Sequence, residues 1–197
     1  MKAMMMSIRP KHVKNILNCI KTLEIRKKFP KDYVGWVYIY CTLGQGLVFD
    51  SEGKGLVNSK LFPYAKNCPE HNRLINGKVV ARFWCDKVEE IPPMWQWRNS
   101  IFNWEKWLID KGCVSQKELF TYLKVHNPQN CGYAIHITKL EIFDKPKEIS
   151  EFKSKLHIKN GCKNCPQNTG FSMPYCATCD FLLPLNRAPQ SYQFIEI

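Results

Sequence analysis

The spacing of the apolar residues changes twice within the first 41 residues, and this succession limits the folds that the chain can adopt. Residues 4–8 predict a short strand, and the next stretch has apolar residues at i, i+3, i+4 and i+7, typical of an amphipathic helix over residues 10–20. The stripe of this helix consists of Val13, Ile16, Leu17 and Ile20. Residues 21–28 and 35–41 then alternate with period two, as half-buried strands do. Strands and a helix mixed at this short range predict an α+β fold.

Further strands are predicted over residues 78–87, 133–143 and 191–197, and residues 42–77 form a long irregular connection. Residues 94–125 predict helices. The first helix carries one apolar stripe and ends at Gly112, and a capping box begins the next. The stripe of the first helix consists of Trp97, Ile101, Trp104 and Leu108. The sequence therefore predicts one domain over residues 1–197. We expect a mixed β-barrel with helices in its connections, a helical insertion at about 94–126 and a cysteine-rich segment at about 156–183.

Positive charge is concentrated at the start of the chain. Nine of the first 31 residues are basic and only Glu24 is acidic, so this stretch carries most of the net charge of +12. The basic residues are Lys2, Arg9, Lys11, Lys14, Lys21, Arg26, Lys27, Lys28 and Lys31. Such a field concentrates polyanions, of which nucleic acid is the usual example inside cells. A solvated lysine face that aids solubility is the alternative, and charge alone does not decide between them.

The remaining composition bears on where the protein works. The longest clean apolar stretch, residues 34–40, is far shorter than the roughly 20 residues that span a bilayer. No secretory signal is recognisable, so we expect a cytoplasmic protein without disulfides. Six of the ten cysteines are scattered and are expected to be small buried hydrophobes. These six are Cys19, Cys41, Cys68, Cys85, Cys113 and Cys131.

The other four cysteines form two C-x2-C pairs separated by ten residues. They are Cys162, Cys165, Cys176 and Cys179. Each pair can present two thiolates to one ion, so the spacing predicts a tetrahedral structural zinc site, similar to a zinc knuckle. Cys68 and His71 form a further C-x2-H pair that could supply a substitute ligand, a less favoured alternative. The alternative is that the four cysteines are free thiols in a poorly ordered insertion.

Residues 19–26 carry a pattern that links the chain to a known family. The ASCH family, which has a PUA-like β-barrel, is marked by G-x-K-x-x-E-x-R at the exit of its first helix. Residues 19–26 are Cys-Ile-Lys-Thr-Leu-Glu-Ile-Arg, so the chain resembles this family with Cys19 in place of the glycine. A cysteine is expected to need an ordinary φ there, so the helix end is expected to be either remodelled or slightly strained. Three later segments, Gly77–Phe83, Gly132–Ile137 and Arg187–Tyr192, resemble strands of the family, the last that of its bacterial members.

ASCH and PUA-like domains are regarded as RNA-binding domains, so the resemblance implies that this chain binds RNA. Period two places Thr22, Glu24 and Arg26 on one strand face, with Lys21 at the start of the strand. A lysine and an arginine there could hold a phosphate or a base edge, while Glu24 accepts from an exocyclic amine or orients Arg26. The alternative is an ion pair of Glu24 and Arg26 inside the barrel.

Aromatic residues on the following strand could stack unpaired bases, although they could equally belong to the core. The candidate nucleic-acid-binding residues are thus Arg9, Lys21, Thr22, Glu24, Arg26, Lys28, Trp36, Tyr38 and Tyr40. The leading interpretation is an RNA-binding module with a basic cleft around Lys21, Glu24 and Arg26.

A second interpretation is a nucleic-acid-processing enzyme that uses the same cleft. Some ASCH relatives resemble ribonucleases, and Lys21, Glu24 and Arg26 could then serve as electrostatic stabiliser, general base and phosphate clamp. One bacterial branch resembles amidohydrolases of acylated cytidine and has a threonine nucleophile where this chain has Glu24, which argues against that activity. No catalytic Ser-His-Asp or Cys-His spacing stands out. A third interpretation is a regulatory protein-interaction domain.

Overall fold

The structure, a computed structural model, describes residues 2–43, 47–48, 56–57, 75–97, 99–124, 131–155 and 182–197. Its strands are β1 (Lys2–Ile8), β2 (Leu23–Arg26), β3 (Gly35–Cys41), β4 (Leu47–Val48), β5 (Leu56–Val57), β6 (Val79–Cys85), β7 (Val88–Ile91), β8 (Gly132–His136), β9 (Thr138–Lys147), β10 (Lys153–Lys155), β11 (Leu182–Pro184) and β12 (Tyr192–Glu196). Its α-helices are α1 (Pro10–Leu17), α2 (Met94–Trp97), α3 (Trp104–Gly112) and α4 (Gln116–Leu123), and a 3₁₀ turn covers Ile149–Glu151. In these ranges no helix is long and apolar enough to cross a membrane.

Two sheets carry the fold. One has seven strands in the order β11-β10-β12-β1-β3-β6-β9, and the other has three in the order β2-β8-β7. β1 and β3 run parallel, with α1 in the connection between them, whereas β1 and β12 run antiparallel. The predicted α+β fold is confirmed. Among the described strands, hydrogen bonds keep the two sheets separate and do not close them into one barrel.

The main core lies between the seven-stranded sheet, α1 and β8. The alternation of β3 decides which of its residues enter this core: Val37, Ile39 and Cys41 pack with Val13 of α1 and Ile135 of β8. Along an extended strand successive side chains point to opposite faces, so the intervening residues of β3 leave this core. They enter a second cluster with β1, β12 and the chain around the 3₁₀ turn.

The first helix ends earlier than its apolar stripe predicts. Ile20, the last residue of the predicted stripe, lies beyond the helix and is 61% exposed. The helix is closed by two backbone hydrogen bonds of the Schellman type, from Ile20 N to Asn15 O and from Cys19 N to Ile16 O. This motif requires a left-handed residue at the position of Cys19, and Cys19 has φ +57°. The expectation of an ordinary φ for this cysteine was wrong, and of the two expected helix ends the strained one is observed, since Cys19 keeps the backbone conformation that usually favours glycine.

The helical insertion consists of three short helices, and the prediction of one stripe through Ile101 was wrong. Ile101 is fully exposed, because the chain leaves the helix after Trp97 and starts again only at the Asn103 cap. The predicted end of α3 at Gly112 and the capping box that begins α4 are confirmed. The insertion covers the outer face of β2, where Leu23 and Ile25 pack in one cluster with residues of α2, α3 and α4.

The scattered cysteines divide into two groups. Cys41 and Cys85 are buried as predicted, and burial raises the pKa of these thiols to about 12 and about 11. Cys19 and Cys131 are exposed, which contradicts the prediction for these two, and Cys113 is half-buried. Cys68 lies outside the described residues.

Candidate functional site

The short strand β2 carries the signature residues. Leu23 and Ile25 face the helical insertion, so Glu24 and Arg26 point to the opposite side, toward the ends of β1 and β12. Thr22 precedes the strand and is exposed, with its backbone N–H bonded to Lys111 O of α3 at 3.0 Å. The alternation that places Glu24 and Arg26 on one face is therefore the predicted one.

Lys21, Glu24 and Arg26 form one buried ion network, which we call the Glu24 network. Their exposed fractions are only 2%, 6% and 8%. Glu24 holds one cation on each carboxylate oxygen: Lys21 Nζ lies 3.4 Å from Oε2 and Arg26 Nη2 lies 2.9 Å from Oε1. Lys21 also donates to the carbonyl oxygen of Gly112 at 2.6 Å, where α3 ends. The network thus ties β2 to the insertion.

Arg26 reaches across to the other sheet. Its Nη2 donates to Ser7 O at 2.7 Å, at the end of β1, and its Nη1 lies 3.5 Å from Ser191 Oγ, just before β12. Two buried nitrogens near Glu24, Arg26 Nε and His12 Nδ1, have no hydrogen-bond partner among the described residues. Buried polar atoms are nearly always paired, so these two nitrogens need a physical explanation.

Charges within the network set the ionisation of Glu24 and His12. Burial raises the pKa of Glu24, but the cations of Lys21 and Arg26 lower it by more, so the net pKa lies below its ordinary value and Glu24 is a carboxylate. Burial lowers the pKa of His12 despite the opposing effect of Glu24, so its imidazole is neutral at neutral pH. The combined charge of Lys21, Glu24 and Arg26 is therefore positive.

Three exposed basic residues lie near this network and form what we call the cationic rim: Arg9, Lys11 and Lys27. Lys11 pairs with Glu118 of α4 at 2.7 Å, and both groups influence the pKa of His12. Lys27 Nζ lies 5.1 Å from the centre of the Tyr122 ring. This bridge and this ring contact connect α1, the end of β2 and α4 at one place.

Tyr122 lies close to members of both the rim and the Glu24 network. Burial raises the pKa of its hydroxyl; Arg26 opposes this, as do Arg9 and a hydrogen bond from the Lys27 backbone, while Glu24 adds to it. The ring belongs to α4 and the residue is 40% exposed. An aromatic surface therefore adjoins the charged groups, on a residue that the sequence analysis did not select.

The predicted aromatic residues lie elsewhere. Trp36, Tyr38 and Tyr40 point to the face of β3 opposite Val37 and Ile39, in the second cluster. There the Arg82 guanidinium lies 4.2 Å from the Trp36 ring centre and 3.2 Å from the Tyr38 hydroxyl. Among the described contacts, none joins these three rings to the Glu24 network. Lys28 is exposed beyond β2, next to the rim in sequence.

The sequence analysis also missed His12, Ser7 and Ser191. His12 directly precedes the apolar stripe of α1, and this proximity is the one local signal that could have selected it. The roles of Ser7 and Ser191 depend on β1 and β12 pairing at the two ends of the chain, and no local pattern contains that information.

The predicted zinc ligands Cys162, Cys165, Cys176 and Cys179, and the substitutes Cys68 and His71, all lie outside the described residues. Within the part of the chain that is described, no group of three or more His, Cys, Asp or Glu side chains could hold a metal ion.

Comparison with known proteins supports the fold. No model of a known family matches the sequence, and no curated protein matches it. Among solved structures, the chain is similar to an ASCH protein from Zymomonas mobilis. A serine-to-alanine variant of that protein matches with a TM-score of 0.50 at 12% identity, over 98% of this chain and 87% of that chain. Another structure of this protein matches with a TM-score of 0.46 at 13% identity, over 74% and 73%. At this identity the likeness shows a shared ASCH-like fold.

Proposed function

We propose that the chain is an ASCH-type module that binds single-stranded RNA at the cationic rim, above the Glu24 network. The observation that carries the proposal is the pair of buried unpaired nitrogens, Arg26 Nε and His12 Nδ1, in a net positive network whose sequence neighbours Lys11 and Lys27 are exposed cations. The Zymomonas mobilis protein with the same fold is titled ASCH, and the resemblance of residues 19–26 to the ASCH signature points the same way.

The rim supplies the electrostatic part of binding. Arg9, Lys11 and Lys27 are exposed, so their charges can meet phosphates without the cost of desolvating a buried site. Among the described residues, Glu118 pairs with Lys11 of the rim, while Glu24 already pairs with Lys21 and Arg26. A surplus of positive charge remains for a polyanion.

The buried network supplies the specific part. Arg26 Nε is a donor and the neutral His12 Nδ1 is a donor or an acceptor according to its tautomer. A base edge or a phosphate oxygen that reached them would satisfy groups that are otherwise costly to bury. Lys21 is 2% exposed and already bound to Glu24 and Gly112, so we assign it a positioning role rather than direct contact. Thr22 and Lys28, both exposed, are candidate backbone contacts.

The test measures binding of a fluorescein-labelled 20-nucleotide single-stranded RNA by anisotropy. The variant Arg9→Ala/Lys27→Ala removes two rim charges, and the matched control Lys145→Ala/Lys153→Ala removes two exposed charges from other strands. We expect wild type and control to bind alike and the rim variant to bind about tenfold more weakly at low salt. Absence of wild-type binding at low salt would contradict the proposal, as would an equal loss in both variants.

The same samples test the enzyme alternative. The carboxylate of Glu24 and the neutral His12 are groups that a ribonuclease could use as a base. On a denaturing gel, the binding module leaves the RNA intact. Fragments that appear with wild type and disappear with Glu24→Gln would favour a hydrolase in the same site.

We also propose that Cys162, Cys165, Cys176 and Cys179 hold one structural zinc ion. The support is the two C-x2-C pairs at a spacing that can close a tetrahedron of thiolates. Elemental analysis should find one zinc per wild-type chain and none in Cys162→Ser/Cys165→Ser. A metal-free wild type of equal thermal stability would contradict this.

A further inference from the structure

We infer that Tyr122 is a base-stacking platform, and that the ligand of the site is therefore an unpaired base rather than a duplex. This inference rests on the proposed function and names the class of nucleic acid. Base pairs inside a duplex keep their faces stacked on one another, so a protein ring can stack only on a base that is unpaired or terminal. An exposed ring at a phosphate-binding rim thus selects single strands.

The placement of Tyr122 is what an aromatic platform requires. Arg26, Arg9 and Glu24 act on the pKa of its hydroxyl, so charged groups lie close to the ring, and the residue as a whole is 40% exposed. Leu119 and Leu123 are almost fully buried on the same helix, so α4 fixes the ring without needing it for the core. These two buried leucines fix the helix that presents the exposed ring, which lowers the entropy cost of stacking.

The cations around the ring fit the same role. Lys27 Nζ lies 5.1 Å from the ring centre, within the range of a cation–π contact, and Arg9 acts on the hydroxyl. A base on the ring would bring its own phosphate close to these side chains. The Lys11–Glu118 bridge fastens the start of α4 to the start of α1, so the platform and the rim keep a fixed relation.

The experiment compares a labelled 12-nucleotide single-stranded RNA with the blunt duplex of the same sequence. Tyr122→Leu keeps the apolar bulk and the helix propensity but removes the ring, whereas Tyr122→Phe keeps the ring. Trp95→Ala is the control, since Trp95 is an exposed aromatic residue on α2. We expect Tyr122→Leu to weaken single-strand binding about tenfold or more, with duplex binding unchanged, and Tyr122→Phe and Trp95→Ala to bind like wild type.

The outcomes separate the two proposals. If wild type binds RNA and Tyr122→Leu binds the single strand equally well, the platform is disproved and the RNA-binding module stands. If Tyr122→Leu weakens both ligands equally, the platform is also disproved. If wild type binds neither ligand, the proposed function fails and the platform with it. A Tyr122→Trp variant that binds the single strand more tightly would be a further gain-of-affinity result in favour of stacking.

Discussion

Lys21 is a buried ammonium whose partners belong to two different elements. It contacts the Glu24 carboxylate of β2 and the Gly112 carbonyl of α3. Removing one member of a buried ion pair costs about 3–5 kcal/mol when the other charge is left uncompensated, but here Glu24 keeps Arg26 at 2.9 Å. We therefore expect Lys21→Met to lower the free energy of unfolding by about 2–3 kcal/mol in urea denaturation, less than for a fully uncompensated charge.

The matched control for this prediction is Lys106→Met. Lys106 forms an exposed pair with Asp110 one helical turn away, at 2.7 Å. Exposed pairs contribute about 0–1 kcal/mol, so this variant should stay close to wild type. Equal effects of the two substitutions would show that the Glu24 network is not the buried unit that its geometry indicates.

Glu24 makes the stability of the protein sensitive to acid. Its pKa is lower in the folded chain than in the unfolded chain, because Lys21 and Arg26 outweigh the effect of burial. Its contribution is therefore complete above the ordinary carboxyl pKa and is lost as the pH falls through the lower, folded value. We expect the difference in free energy of unfolding between wild type and Glu24→Gln to shrink from pH 5 toward pH 3. A difference that stays constant over this range would contradict the account.

At the residue scale, periodicity predicted that Glu24 and Arg26 share a face, and this is confirmed. It could not predict the burial of Lys21, because that burial depends on Gly112 lying 91 residues later in the chain. Tyr122 was missed for the same reason. Its closeness to Arg26 arises from the packing of α4 beside β2, which no local pattern contains.

Among the elements, the end of α1 offers the clearest test. Cys19 occupies the left-handed position of a Schellman motif, a conformation that costs an L-residue with a Cβ roughly 1–2 kcal/mol. Glycine removes this strain but increases the freedom of the unfolded chain, so we expect Cys19→Gly to stabilise the protein by about 0.5–1 kcal/mol. Thermal or urea unfolding measures the change.

Cys131→Gly is the control for the helix end. Cys131 is also exposed, and it is absent from the residues with positive φ. Replacing this cysteine by glycine should therefore not stabilise the protein. If Cys19→Gly destabilised the protein as much as Cys131→Gly, the left-handed strain would not be real.

The boundaries of strands and helices were predicted less accurately than their presence. The strand of residues 133–143 is in fact two strands that meet near Ile137, and they belong to different sheets. The apolar alternation shifts by one residue between Ile137 and Leu140, but alternation reports burial and not hydrogen-bond partners, so it did not reveal the change of sheet. The prediction of one helix through Ile101 was wrong for a similar reason. The four apolar residues have helical spacing, but the Asn103 side chain accepts a hydrogen bond from Lys106 N and so begins a new helix.

At the scale of the whole molecule, the sequence predicted the α+β class, and the similarity to a solved ASCH structure over 98% of the chain supports it. The pairing of β1 with both β12 and β3 could not be predicted locally, because it joins the first strand of the chain to the last. This pairing matters for the site, since it brings Ser7 and Ser191 to Arg26. The fold thus adds Ser7 and Ser191 to a site of which the signature residues are only one part.

The most direct test of the central claim is the salt dependence of RNA binding. For single strands, the logarithm of the binding constant falls with the logarithm of salt concentration by about 0.7 for each phosphate contact. The account predicts that Arg9→Ala/Lys27→Ala makes this slope shallower by about 1.4, while Lys145→Ala/Lys153→Ala leaves it unchanged. Equal slopes in wild type and the rim variant would contradict the claim that the cationic rim binds the RNA backbone.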